Sequence, residues 1–174
     1  RRSSDLQYFR KNYDKVMSNA PAVITPVQIL RLEVWVTNKN GSTTDAREVV
    51  GLMDLGESEP YHHFTVTGSL PDNNTKSEYS SIINNPGSRN YTLINNQLLS
   101  MGLNPVQDFE KTFARKLDST QYIYNKRAGF LSLSQPLQAD EVLAVAFQYS
   151  YNGKIYQVGE FSQDVPPDSS SSNQ

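Results

Sequence analysis

The stretch DEVLAVAFQYSYNGKIYQVGEFS, residues 140–162, predicts a β-hairpin near the end of this 174-residue chain. Apolar residues alternate with small or polar ones along its first half, which is the pattern of a half-buried strand. Asn152 and Gly153 divide the two halves and favour a type I′ turn, in which both residues have positive φ. The turn fixes the cross-strand pairs as Tyr151–Lys154, Tyr149–Tyr156, Phe147–Val158 and Val145–Glu160.

One face of this hairpin is apolar, and it needs a partner because isolated hairpins are only marginally stable. Two environments fit the pattern: a soluble domain, or the wall of an outer-membrane barrel, whose strands also alternate. Lys154 and Glu160 fall on the apolar face, where a basic residue facing lipid costs about 2–4 kcal/mol at mid-depth. We therefore interpret the hairpin as part of a soluble module, with its apolar face packed on a helix.

The helix expected to cover the hairpin is NPVQDFEKTFARKL, residues 104–117. Asn104 is a good N-cap residue, and Pro105 follows at a position where its missing N–H costs nothing. Apolar side chains then recur at spacings of three and four, which predicts one apolar stripe along the helix. The stripe consists of Val106, Phe109, Phe113 and Leu117.

The remaining segments predict a chain in which strands and helices are grouped rather than alternating, which indicates the α+β class. Residues 1–20 predict an N-terminal helix, and residues 21–70 an antiparallel, β-sandwich-like lobe with strands at 30–36, 46–57 and 61–70. Residues 71–120 predict loops and helices, with short helices near 79–84 and 93–101. Residues 121–163 predict the C-terminal strands and hairpin, and 164–174 a disordered tail. We expect these segments to form one composite domain.

Composition excludes several function classes. Sixteen Lys and Arg against 18 Asp and Glu give a net charge of −2, so a nucleic-acid partner is not expected. The mean hydropathy is −0.57, and no run approaches the roughly 18 apolar residues of a membrane-spanning helix. Cysteine is absent, which excludes disulfides and thiolate metal sites. Because the chain begins with Arg1 and ends in PPDSSSSNQ, we expect it to be a fragment of a longer polypeptide.

Candidate chemistry is sparse. His62 and His63 are adjacent, so on a strand they point to opposite faces and do not chelate one ion together. With nearby carboxylates either one could join a metal site of a hydrolase, but we interpret them as surface residues. No nucleophile-elbow, dinucleotide-binding or phosphate-loop motif is present. We therefore expect neither catalytic residues nor a cofactor.

The strand at 30–36 places Trp35 on its polar side, beside Arg31 and Glu33. A Trp on a β-lobe can serve as a stacking platform for a sugar, or can pack under a neighbouring loop. Trp35, Tyr61, His62 and His63 together form the candidate interaction surface. The alternative function that follows from it is a carbohydrate-binding module of a cell-surface protein.

Three blocks of the sequence carry a family resemblance. They are RLEVWVTNKNGSTTDAREVVGLMDLGE at 31–57, INNPGSR at 83–89, and FARKLDSTQYIYNKRAGFLSLSQPLQADEVLAVAFQYSYNGKIYQVGEF at 113–161. In this order they resemble the SprA/Sov family, the very large outer-membrane proteins of Bacteroidota. The resemblance extends over about residues 26–163.

The resemblance implies a role in the type IX secretion system, whose translocon barrel exports folded cargo and supports gliding motility. This chain would be a non-enzymatic structural module attached to that barrel, at the cell envelope on the periplasmic, pore or surface side. Its partners would be other secretion components and secreted cargo proteins. The family offers no catalytic residues to carry over, and the sequence leaves the oligomeric state open.

Overall fold

The computed structural model describes residues 7–37, 46–57 and 64–165. Within them the chain forms three α-helices, one 3₁₀-helix and seven strands, so the α+β class predicted from the sequence is confirmed. The helices are α1 (Gln7–Met17), α2 (Ser77–Ile83), the 3₁₀-helix (Pro86–Arg89) and α3 (Tyr91–Ser100). The strands are β1 (Val27–Thr37), β2 (Ala46–Leu52), β3 (Phe109–Lys116), β4 (Tyr122–Asn125), β5 (Phe130–Leu133), β6 (Leu143–Tyr151) and β7 (Lys154–Val158).

Five strands form one antiparallel sheet in the order β2-β3-β1-β6-β7, and β4 pairs with β5 in a separate hairpin. The first strand along the chain, β1, lies in the centre and pairs with β6 from Val27 opposite Tyr151 to Val36 opposite Leu143. The sheet curls strongly. Two strands separate β2 from β6, yet a Cβ at Gly51 of β2 would lie only 3.7 Å from the Cβ of Ala144 in β6. Strands of the predicted 21–70 and 121–163 segments are therefore joined in one sheet.

Strand β1 contains an irregularity that the alternation did not predict. Its register with β6 shifts between Ile29 and Arg31, so that Leu30 sits in a β-bulge. Leu30 is 39% exposed, whereas strict alternation over the predicted strand 30–36 would place it on the same face as Leu32, so the alternation fails at this residue. The bulge lets Val27, before it, face the same core as the residues after it.

The hairpin at 140–162 is confirmed. Asn152 and Gly153 have φ of 48° and 78°, as the type I′ turn requires, and the pairs from Tyr151–Lys154 to Phe147–Val158 form as expected. The expected pair of Val145 with Glu160 does not form, because β7 ends at Val158 and the chain turns away at Gly159.

The helix predicted for 104–117 is wrong. The N–H of Asn104 donates to Oδ2 of Asp108 (2.7 Å) and Val106 has a φ of 70°, so residues 104–108 form a turn. Residues 109–116 then form β3, which hydrogen-bonds to β2 on one side and β1 on the other. The apolar spacing fits a helix, but pairing with two strands outweighs the local preference.

The apolar face of the hairpin consequently packs on a different helix. Phe9 of α1 meets the rings of Phe147 and Tyr149 edge-to-face, with centroids 5.3 and 5.4 Å apart. The predicted N-terminal helix is thus confirmed. It covers the apolar face of the hairpin, a place that the sequence analysis assigned to residues 104–117. The short helices α2 and α3 are also confirmed, and Asn90 caps α3 by accepting from the N–H groups of Thr92 and Leu93.

The strand predicted at 61–70 is wrong over its described part. Residues 64–70 contain one isolated bridge, Val66 to Lys76. The N–H and hydroxyl of Thr67 both donate to carbonyls of the 74–75 segment, which closes a local loop instead of extending the sheet.

Candidate interaction site

Charged side chains from three neighbouring strands lie on the face of the sheet opposite the apolar core. Arg31 and Glu33 come from β1, Arg47 from β2 and Lys116 from β3. We call these four residues the charged face. The strand register brings these side chains together. Lys116 is the cross-strand partner of Trp35, and Trp35 lies on the same face of β1 as Arg31 and Glu33.

Trp35 lies beside the charged face and is partly exposed. Its indole N–H donates to Oε2 of Glu33 at 3.3 Å, as its predicted position on the polar side of β1 allows. The carboxylate nearest the ring is therefore already engaged, so the carbohydrate-binding alternative gains no observation here and stays a prediction. Tyr61, His62 and His63, the other members of the predicted surface, lie outside the described residues.

Glu33 is the centre of the charged face and is 5% exposed. Its carboxylate accepts from the N–H and the hydroxyl of Ser162, both at 2.9 Å, and pairs with the ammonium group of Lys116 at 2.5 Å. Burial opposes ionisation of Glu33, but the hydrogen bonds from Lys116 and Ser162 outweigh it and lower its pKa. Glu33 is therefore held as an anion.

The ligand of the charged face is the chain's own segment 159–165, which we call the C-terminal strap. Arg47 donates to the carbonyls of Ser162 (3.1 Å) and Val165 (2.6 Å). Arg31 pairs with Asp164 at 3.0 Å and also lies over the Phe161 ring, 3.9 Å from its centroid. The strap turns over the charged face at residues 162–164, and the face holds it by its main chain and by the side chains of Phe161, Ser162 and Asp164.

The start of the strap is fastened to the loop that precedes α2. The side-chain amide of Asn73 exchanges two hydrogen bonds with the main chain of Gly159, at 2.7 and 3.1 Å. Glu160 then accepts a bidentate pair from Arg89, at 2.6 and 2.7 Å, and a bond from the Tyr79 hydroxyl at 3.0 Å. The same loop also covers the outer edge of β7, where the N–H of Asn73 donates to the carbonyl of Gln157 at 2.7 Å.

A second polar cluster lies in the interior, where Asp54, Lys76, Glu78 and Asp108 are all buried. Lys76 forms an ion pair with Asp54. Burial, with Asp54 next in effect, raises the pKa of Glu78 to about 7. We call these four residues the buried cluster.

Neither cluster has the geometry of a metal centre. In the part of the chain that the structure describes, no three His, Cys, Asp or Glu side chains are grouped so that they could hold a metal ion. Of the acids near the histidines in sequence, Asp54 belongs to the ion pair with Lys76 and Glu57 accepts from the N–H of Tyr8 at 3.2 Å. The metal-hydrolase hypothesis, which rests on His62 or His63, stays a prediction outside the described residues.

Sequence reasoning missed most of both clusters. Alternation placed Arg31 and Glu33 on the polar side of β1, but Arg47, Lys116 and Ser162 come from distant segments that only the sheet order brings together. For the buried cluster the one local signal is the alternation of Lys76 and Glu78 next to a helix start, a pattern that usually marks a solvated surface.

Comparison with known proteins adds no identification, since no protein-family profile matches the chain and no curated protein sequence matches it. Among residues 7–37, 46–57 and 64–165, no helix is both long enough and apolar enough to cross a membrane.

Proposed function

We propose that this chain is a non-enzymatic interaction module of a very large outer-membrane protein-secretion translocon, of the type IX kind that supports gliding motility. The support from sequence is the resemblance of residues 31–57, 83–89 and 113–161 to the SprA/Sov family. Its partners are other components of the secretion system and the cargo proteins that pass through it.

The observation that carries the proposal is that charged side chains of the charged face bind main-chain groups of the strap. Arg47 binds two main-chain carbonyls, and Glu33 binds a main-chain N–H. Recognition of a segment through its main chain, supplemented by pairing of side chains, is the chemistry of a polypeptide-binding surface. Such a surface suits a module that works through protein–protein contacts.

Site-specific cross-linking tests this proposal. The full chain carries a photoreactive phenylalanine analogue in place of Trp35, and is mixed with an envelope extract of a Bacteroidota bacterium and irradiated. Because Trp35 borders the charged face and is partly exposed, we expect covalent adducts with type IX secretion components or their cargo. The adducts are identified by mass spectrometry.

The matched control carries the same analogue at Ile155, which is 63% exposed on β7 and lies away from the charged face. Adducts that form from position 35 and not from position 155 support the proposal. Adducts from both positions alike, or only with proteins unrelated to secretion, contradict it.

A further inference from the structure

The buried cluster holds more negative than positive charge. Asp54 lies just after β2, Lys76 and Glu78 flank the first residue of α2, and Asp108 lies just before β3. Three separate segments therefore bring three carboxyl groups together with one ammonium group. If all four were ionised, three negative charges would face one positive charge. The cluster would then carry two unbalanced negative charges in an interior that stabilises charge poorly.

The hydrogen bonds of the cluster show which carboxyl group is least suited to ionisation. Asp54 has the ammonium group of Lys76, and Oδ2 of Asp108 accepts from the main chain and amide of Asn104, at 2.7 and 3.2 Å. Oε2 of Glu78 and Oδ1 of Asp108 are buried without a hydrogen-bond partner among the described residues. Glu78 is 1% exposed, and in a carboxylate there the Oε2 atom would lack both water and a donor.

We propose that Glu78 is a proton-binding site that latches α2, and with it the start of the C-terminal strap, in the closed position described here. The bound proton makes the side chain neutral, which leaves two carboxylates and one ammonium group in the buried cluster. This inference does not depend on the proposed function, since it rests on the interior of the chain alone.

The connection from α2 to the strap is direct. Tyr79, the next residue after Glu78, donates its hydroxyl hydrogen to Glu160 at 3.0 Å. Arg89, in the 3₁₀-helix that follows α2, holds the same carboxylate with two bonds. A shift of α2 away from the buried cluster would therefore break the contacts of Glu160, the residue before Phe161.

Ionisation of Glu78 supplies a reason for such a shift. The groups that face it are Asp54 from the segment after β2, Asp108 from the segment before β3, and Lys76 from its own segment. Two of these three are acidic residues, and Lys76 is paired with Asp54. The titration falls at about pH 7, and linkage to an open state with an ordinary glutamate pKa makes local opening about tenfold more favourable at pH 8 than at pH 6.

Two measurements on the full chain test the latch. The first is the titration of the Glu78 side chain, followed by NMR of ¹³C-labelled glutamate carboxyl groups, with an expected midpoint of about 7. The second is amide hydrogen exchange at pH 6 and pH 8, corrected for the intrinsic rate. Protection of residues 77–83 and of the strap should fall together by about tenfold between the two pH values.

Glu78→Gln keeps the shape of the protonated side chain and should give the same protection at both pH values. Glu48→Gln, which changes an exposed carboxylate on β2, should retain the tenfold difference. A Glu78 midpoint below about 5.5, against an ordinary glutamate value of 4.5, overturns the proposal. So does a strap whose protection stays constant while that of α2 falls, because the two would then be uncoupled.

Discussion

Glu33 and Glu78 are both almost fully buried, yet their pKa values shift in opposite directions. Glu33 receives hydrogen bonds from Lys116 and Ser162, which outweigh the effect of burial and lower its pKa. Glu78 has no such donors, so burial, aided by Asp54, raises its pKa. The number of donors around a buried carboxyl group, more than its depth, decides its protonation state.

Glu33→Gln is expected to lower the free energy of unfolding at pH 7 by about 2 kcal/mol, because hydrogen bonds to a charged group contribute about 1.5–3 kcal/mol. The pKa of Glu33 is lowered on folding, so its contribution is present above the unfolded-state pKa and is lost as pH falls through the folded-state pKa. Urea unfolding at pH 7 and pH 3 measures both effects. An equal loss at the two pH values would contradict this account, and Glu48→Gln is the control.

Glu78 should produce the opposite trend. Its folded-state pKa of about 7 lies above the ordinary value of 4.5, so the folded state binds the extra proton and the free energy of unfolding decreases as pH rises through this window. The total decrease is about 3 kcal/mol, since each pKa unit corresponds to 1.36 kcal/mol. Urea unfolding of Glu78→Gln at pH 5 and pH 8 should lack this decrease, and a variant with the wild-type slope would refute the assignment.

At the scale of elements, sequence patterns were sufficient where one local signal decides the structure. The Asn152-Gly153 turn and the alternation beside it define β6 and β7, and the helical spacing around Phe9 defines α1. They were insufficient for residues 109–116, where Phe109 and Phe113 fit a helix but β2 pairs with residues 109–115 and β1 with residues 114–116. The strands that pair with residues 109–116 lie elsewhere in the sequence, so the apolar spacing within this segment cannot predict the pairing.

Two glycines with positive φ allow backbone strain to be separated from packing. Gly153 has a φ of 78° with open space around it, whereas a Cβ at Gly129, φ 72°, would collide with the Phe9 ring. Gly153→Ala should therefore cost about 1 kcal/mol from strain alone, and Gly129→Ala about 3 kcal/mol once overpacking is added. Thermal unfolding of the two variants gives the comparison, and equal costs would show that Phe9 moves aside freely.

At the scale of the whole molecule, the α+β class was predictable because it follows from the order of periodic segments. The charged face was only half predictable, since the places of Glu33 and Arg31 follow from alternation in β1 but their contact with Ser162 and Asp164 of the strap does not. That contact depends on how strongly the sheet curls and on where the chain leaves β7 at Gly159. Both are properties of the complete sheet.

The strap should contribute to the stability of the whole molecule through Phe161, which is 1% exposed. Phe161→Ala is expected to lower the free energy of unfolding by about 3–4 kcal/mol, as for other buried aromatic residues. Phe113→Ala is the matched control, since Phe113 is 47% exposed and its loss should cost about 1 kcal/mol or less. Urea unfolding at pH 6 measures both, and similar costs would mean that the strap is not an integral part of the fold.

The central position of β1 also determines when this chain can fold. Val27 pairs with Tyr151, and Trp35 pairs with Lys116. The central strand β1 is therefore synthesised long before either of the strands that it pairs with. Sheets built from such distant pairings form slowly, and their unpaired strands are open to aggregation in the meantime. The sheet therefore cannot be completed before residue 151 has been synthesised, and a chaperone that shields residues 27–37 until then would raise the yield of folded protein.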